Sequence, residues 1–199
     1  MNFEPHVPDW GLEYLKKNSE NLLLYHNWLR TTGIKSGLIS SKEDQFIWDE
    51  FIIHSLYFSK LLTELKSDTS TVLDLGTGGG IPGITIGLTS DFLVKLVDIK
   101  EKRINELLRL INILKVDNIE AIKKDANSLI VSGGLFVSRC YISSENVLSS
   151  LEKNLKNTTY LVSSSGEGLN YDPNVFHVKQ EKFYINKTDL RHIDVITVK

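Results

Sequence analysis

Apolar residues in the first third of the chain recur at helical spacing. Trp10, Leu12, Tyr14 and Leu15 lead into Asn21-Leu22-Leu23-Leu24-Tyr25-His26-Asn27-Trp28-Leu29, and Gly33 and Gly37 punctuate the run. A second helix is expected after Ser40-Ser41, with Glu43 or Asp44 in its first turn. It carries Phe46, Ile47, Phe51, Ile52, Leu56, Phe58, Leu61 and Leu62. Trp28 and Trp48 read as core. The polar stretch Ser67-Asp68-Thr69-Ser70 breaks the pattern. It divides the chain into a helical extension, residues 1–66, and a second region, residues 67–199.

The second region alternates strand and helix. Thr71 to Leu75 is a short β-rich run that ends at a glycine cluster, and Pro82 sits where a helix would begin. Phe92 to Val97 is a strand ended by Asp98. Lys102 to Leu114 is an amphipathic helix with Ile104, Leu107, Leu108, Ile111 and Leu114 on one face. Ile119 to Ile122, Leu135 to Ser138 and Thr158 to Ser163 are further strands, and Asn146 to Leu155 a helix. Val175 to Ile185 and Ile193 to Val198 follow with no helix between them. The pattern predicts an α/β fold, with a mostly parallel sheet closed by an antiparallel hairpin.

Composition narrows the classes. At 199 residues the chain suits one domain with a small appendage, and 41% hydrophobic residues exclude wholesale disorder. No run approaches the roughly 18–20 apolar residues of a spanning helix. Met1-Asn2-Phe3-Glu4-Pro5 does not open a signal peptide. A lone Cys140 makes neither an intrachain disulfide nor a zinc site, and the five histidines lack ligand spacing, so no metal is expected. A cytoplasmic monomer is the plain reading. Net charge is −2, and residues 1–70 carry 7 basic against 10 acidic side chains. A polyanionic partner must therefore be held by a local patch.

The candidate chemistry sits in Val72-Leu73-Asp74-Leu75-Gly76-Thr77-Gly78-Gly79-Gly80-Ile81-Pro82-Gly83. Glycines at a strand-to-helix turn let the backbone approach a ligand closely. Gly78, Gly80 and Gly83 also match a dinucleotide fingerprint, but no Gly-Lys-Ser/Thr follows, which excludes a P-loop. Asp74, inside the strand, can receive hydrogen bonds from a ligand ammonium directly or through water. Asp98, at the end of the next strand, can accept both hydroxyls of a ribose. An ammonium at one end and a ribose at the other describe S-adenosylmethionine better than a nicotinamide cofactor. Asp125 or Asn127, in the turn after the third strand, can accept from an adenine amine. Arg139 ends a central strand, where it can meet a carboxylate or an RNA phosphate. Tyr141 can stack on an extruded base or pack in the core.

Asp74 to Ile84 resembles the D-V-G-T-G-x-G-L-P-G-I signature of the bacterial small-subunit rRNA guanine-N7 methyltransferases, the RsmG or glucose-inhibited division protein B family. Asp98-Ile99-Lys100-Glu101-Lys102-Arg103 is similar to its D-S-x-x-K-[KR], Val137-Ser138-Arg139-Cys140 to its I-S-R-A, and Arg191-His192 to a similar pair before its last strand. The resemblance is good over about residues 71–140 and tolerable to the end. It implies a class I methyltransferase fold with added N-terminal helices, S-adenosylmethionine as donor and a guanine of 16S rRNA as acceptor. It implies cofactor contacts at Gly76, Ile81, the Ala126-Asn127 pair and Arg139. With the residues read directly, the candidate set is Gly76, Gly78, Gly80, Ile81, Asp98, Asp125, Ala126, Asn127 and Arg139.

The chain departs from the family elsewhere. Asp125-Ala126-Asn127 stands for R-x-E, and Ser165-Gly166 for K-G. Glu50-Phe51-Ile52-Ile53-His54-Ser55-Leu56 stands for R-H-x-x-D-S-[LI], with arginine, histidine and aspartate replaced by Glu50, Phe51 and His54. The W-N-x-x-x-N-L-T segment is reduced to Trp28-Leu29. These changes put rRNA specificity in doubt more than cofactor binding. The alternatives are a methyltransferase for another RNA, a protein or a small molecule, and a non-catalytic module that binds the cofactor or the ribosome. An rRNA partner would need a basic rim such as Lys100, Lys102, Lys124 and Arg139.

Overall fold

The computed structural model describes residues 3, 5–65, 69–129, 133–151 and 157–199; the side chains of residues 16, 17 and 127 lie outside that description. The expected break at Ser67-Asp68, the end of the expected helix to Leu155 and the Asn127 side chain therefore fall outside it. Among the described residues, no helix is long and apolar enough to cross a membrane.

The extension opens with a 3-10 turn, Asp9–Gly11, that runs into α1, Leu12–Trp28, and a π-helical turn, Leu29–Gly33. Asn18 interrupts α1 with φ −159° and ψ 46°, and its side-chain amide donates to the Leu88 carbonyl. The second expected helix comes in three pieces: α2, Asp44–Ile47, a π-helical stretch, Trp48–Ile53, and α3, His54–Glu64. Nearly every residue of α3 from His54 to Leu62 is buried. A helix apolar all round must be covered on all sides, and here the sheet region supplies part of the cover.

Seven strands follow: β1 Thr71–Leu75, β2 Leu93–Asp98, β3 Ile119–Lys123, β4 Leu135–Ser138, β5 Thr159–Ser164, β6 Phe176–Tyr184 and β7 Leu190–Val198. Between them run α4, Gly83–Thr89, α5, Glu101–Leu114, and α6, Ser144–Ser150. The sheet order is β3-β2-β1-β4-β5-β7-β6. β1 to β5 are parallel, and β7 lies antiparallel between β5 and β6. This is the class I methyltransferase sheet with helices added before it. Helix α6 starts two residues earlier than the apolar pattern suggests, because Ser143 caps it by accepting from the Asn146 amide.

One core spans both regions. Leu22, Tyr25, Leu29, Trp48, Ile53 and Leu62 of the extension pack in a single cluster with Ile84, Leu96, Leu107 and Val137. A second cluster, on the other face, gathers Leu75, Phe136, Val147, Tyr160 and Ile196. The chain leaves β1 toward β2 and β3, then returns to lay β4 on the other side of β1. That reversal opens a crevice at the carboxyl ends of β1 and β4, where open α/β sheets bind ligands.

Candidate active site

Asp74 organises the turn after β1. It is fully buried, and its Oδ2 accepts from Thr77 Oγ1 at 2.5 Å and from the Gly83 amide at 2.9 Å. The turn is tied to β2 through the Gly76 and Thr77 amides, both 3.0 Å from the Val97 carbonyl. Gly76 adopts φ +70°, and a Cβ there would fall 2.2 Å from Cγ of Tyr141. Only glycine meets both conditions.

Asp74 is a costly residue. Burial pushes its carboxyl up to about 7, against the hydrogen bonds from Thr77 and Gly83 that favour the carboxylate. Its Oδ1 is buried with no hydrogen-bond partner among the described residues. The folded protein thus holds the Asp74 proton more tightly than the unfolded chain. Its contribution to stability falls as pH rises from the ordinary carboxylate range to about 7, and stays low above it. Asp74→Asn keeps the acceptor and removes the charge. Urea unfolding is expected to show the variant gaining on the parent from pH 5 to pH 8; an equal difference at both values would show that the carboxylate is not the cause.

Asp98 ends β2 beside this turn and is 4% exposed. Its Oδ1 accepts from the Lys100 amide at 2.9 Å. Its Oδ2 accepts from Arg103 Nη1 at 2.8 Å and from the Gly78 amide at 3.3 Å. Arg103, on the first turn of α5, is more than a solvated charge at a helix start: it pairs with Asp98 and lines the adjacent cavity.

A cavity of about 480 Å³ lies in front of these groups, within the usual range for small-ligand sites of about 300–1,000 Å³. Gly76, Asp98, Arg103, Lys124, Asp125 and Tyr141 line it, and Ala126 closes its floor. Four of the expected residues therefore share one wall: Gly76, Asp98, Asp125 and Ala126. Tyr141 is 44% exposed and covers Gly76, so it lines the cavity and does not pack in the core. A larger cavity of about 600 Å³ opens at the other end of the strands, near Tyr14, Thr69 and Phe92, away from the ligand-binding end of a parallel sheet.

Gly78, Gly80, Ile81 and Arg139 stand off the cavity wall. Gly78 braces Asp98. Gly80 is buried against Ile84 and Leu107, and Ile81 belongs to the core. Arg139 turns toward the extension. Its Nη2 donates to Glu50 Oε2 at 2.9 Å, its Nε donates to His54 Nδ1 at 3.3 Å, and its guanidinium carbon lies 5.1 Å from the centre of the Phe51 ring. Arg191 reaches the same carboxylate: Nε donates to Glu50 Oε1 at 3.0 Å and Nη2 to the same oxygen. Burial would raise the Glu50 carboxyl, but the Arg191 and Arg139 guanidiniums bonded to it outweigh that and hold it at about 2. Burial lowers His54 to about 4, which leaves its ring neutral and its Nδ1 free to accept.

The basic rim is partial. Lys100 and Lys124 are exposed beside the cavity. Lys102 is drawn aside to donate to the Ser36 carbonyl at 3.0 Å, and Arg139 is spent on Glu50.

Residues 18–194 match the family model of rRNA small subunit methyltransferase G. The chain belongs to this family. Relatives called ribosomal RNA small subunit methyltransferase G include that of Flavobacterium johnsoniae, 29% identical over 157 residues, or 78% of this chain and 71% of the relative. That of Clostridium botulinum is 34% identical over 119 residues, covering 59% and 49%. That of Streptomyces coelicolor is 25% identical over 126 residues, covering 63% and 51%. The chain thus spans about half the length of the clostridial and streptomycete methyltransferase G relatives. Among solved structures, it is similar to magnesium protoporphyrin IX methyltransferase of Synechocystis with bound S-adenosylmethionine, with TM-score 0.54 and 14% identity over 89% of this chain and 97% of that one. It is also similar to a ribosomal protein L11 methylase of Lactobacillus delbrueckii, with TM-score 0.50 and 18% identity over 73% and 79%. Both likenesses concern the methyltransferase fold.

Proposed function

We propose that the protein is an S-adenosylmethionine-dependent methyltransferase that modifies guanine N7 in 16S rRNA of the small ribosomal subunit. The observation that carries this reading is one cavity faced by the Gly76 turn, the Asp98 carboxylate and the Asp125-Ala126 turn. Family membership supports the rRNA acceptor.

The residues present fit this cofactor. Asp98 Oδ1 accepts one hydrogen bond and keeps acceptor capacity for a ribose hydroxyl. Gly76 offers bare backbone at the cavity wall, and Asp125 stands exposed at its rim. When bound, the cofactor supplies an activated methyl on a sulfonium. What the chain must add is alignment. Guanine N7 presents a lone pair and carries no proton, so no side chain need act as a base. The Tyr141 ring, packed on Gly76 at the mouth of the cavity, limits the directions from which an acceptor can approach.

Two measurements check this reading. The N7-methylguanosine content of 16S rRNA, measured by mass spectrometry in cells with and without the gene, is expected to fall in the deletion; unchanged content would reject the acceptor. Asp98→Ala is expected to weaken S-adenosylmethionine binding about ten- to a hundredfold in calorimetry, the loss of a hydrogen bond to a charged group. Parental affinity would remove Asp98 from the cofactor site.

A further inference from the structure

One surface of the extension is unused by the site described so far. Phe46, at the third position of α2, is 42% exposed. It meets Phe51 edge to face, with ring centres 5.9 Å apart at 90°. A cation stands at each end of this aromatic pair. Lys42 Nζ lies 5.1 Å from the centre of Phe46, and the Arg139 guanidinium lies 5.1 Å from the centre of Phe51. The nearby Asp44 carboxylate is turned toward Arg30, at 3.4 Å.

A single exposed phenylalanine needs no explanation. Here, however, aromatic faces are flanked by cations on both sides, and the row leads toward the cavity. Arg139 joins it to Tyr141 through one residue, Cys140, and Tyr141 is exposed above Gly76. The row thus runs from Lys42 across Phe46 and Phe51 to the loop at the cavity mouth. A flat π-face paired with an exposed cation, as Phe46 is with Lys42, is complementary to a planar ring carrying a nearby negative charge, which is the chemistry of a nucleotide. An apolar peptide would leave the Lys42 ammonium without an anionic partner, whereas Arg139 already has Glu50.

We propose that Phe46, backed by Phe51 and flanked by Lys42, forms a stacking platform for an unpaired nucleotide next to the methylated base in single-stranded RNA, with Arg139 holding Phe51 from behind while paired to Glu50. The inference rests on the rRNA reading above and adds where the strand lies. A base stacks on Phe46 in place of the Lys42 ammonium, which passes to the phosphate. The acidic balance of the extension is then no obstacle, because binding relies on stacking and one local cation, Lys42, instead of a broad positive field.

The test uses the full chain and a fluorescently labelled single-stranded RNA of about 10 nucleotides. Phe46 is largely exposed, so Phe46→Ala should fold. It is expected to weaken RNA binding about tenfold in anisotropy and to leave S-adenosylmethionine affinity unchanged. Phe46→Trp is expected to retain RNA affinity, and its added emission should be quenched on RNA binding. If Phe46→Ala binds the RNA as the parent does, the platform is wrong and the rRNA reading stands. If the parent protein binds S-adenosylmethionine but no RNA, both fail. A loss of cofactor affinity in Phe46→Ala would reassign the residue to the fold and reject the platform.

Discussion

Glu50→Ala is expected to lower the stability of the protein by about 3–5 kcal/mol, the usual cost of removing one partner from a buried ion pair. That is a large share of a typical total of about 5–15 kcal/mol. Glu50 is 8% exposed and serves Arg139 and Arg191 together. Without it, two guanidiniums face each other in a half-dry space. Adding Arg139→Met should return part of the loss, because it removes one of the stranded charges; no recovery would show that the cost lies in packing alone. Acid should act on the same cluster. His54, held near 4, takes up its proton later in the folded chain than in the unfolded one, so stability falls as pH drops from about 6.5 to 4. Glu50, held near 2, adds a second loss as pH falls from its ordinary value of 4.5 toward 2. Urea midpoints across this range should decline in two stages, and the second stage should be missing in Glu50→Ala.

Gly83→Ala is the second large effect, with the opposite sign to the one helix propensity gives. Alanine in a helix gains about 1 kcal/mol over glycine. At Gly83, however, a Cβ would fall 2.3 Å from Cδ2 of Leu96 and 2.7 Å from Asp74 Oδ2. Leu96 is fully buried and has no room to swing aside. Overpacking of this kind costs about 1–3 kcal/mol. Pushing Asp74 away also strains its bonds from Thr77 and the Gly83 amide, each worth about 1.5–3 kcal/mol to a charged acceptor. A net loss of about 3 kcal/mol is expected in urea unfolding, together with weaker binding of S-adenosylmethionine, since the same bonds set the turn that carries Gly76. A variant at least as stable as the parent would show that the turn can relax.

The strands were legible because parallel strands buried on both faces read as short apolar runs; Leu135–Ser138 was placed to the residue. The grouping of the cavity residues was legible for a related reason: Gly76 follows β1, Asp98 ends β2 and the Asp125-Ala126 turn comes just after β3, and the ends of these strands converge on one cavity. What failed was side-chain direction. Arg139 stands at the expected strand end, yet it points at Glu50 and Phe51, 89 and 88 positions earlier in the chain, and nothing local to Arg139 announces them. Glu50 did leave a trace. It is an acid among Trp48, Ile52 and Ile53, all fully buried, with His54 one helical turn away. A carboxylate inside an apolar helix face must find a cation. The substitutions at Glu50, Phe51 and His54, read as departures from the family, turn out to form a connected arrangement of their own.

The position of β7 has a consequence for how the protein is made. It is the last of the seven strands to leave a translating ribosome, yet it lies between β5 and β6. Until about residue 198 has emerged, β5 presents a bare edge, and β6 has no neighbour to pair with. Arg191, which completes the Glu50 cluster, arrives on the same strand. The helical extension, though made before the sheet, is therefore locked only when β7 arrives, and between the emergence of β5 and that of β7 the chain carries an open strand edge that other chains can capture.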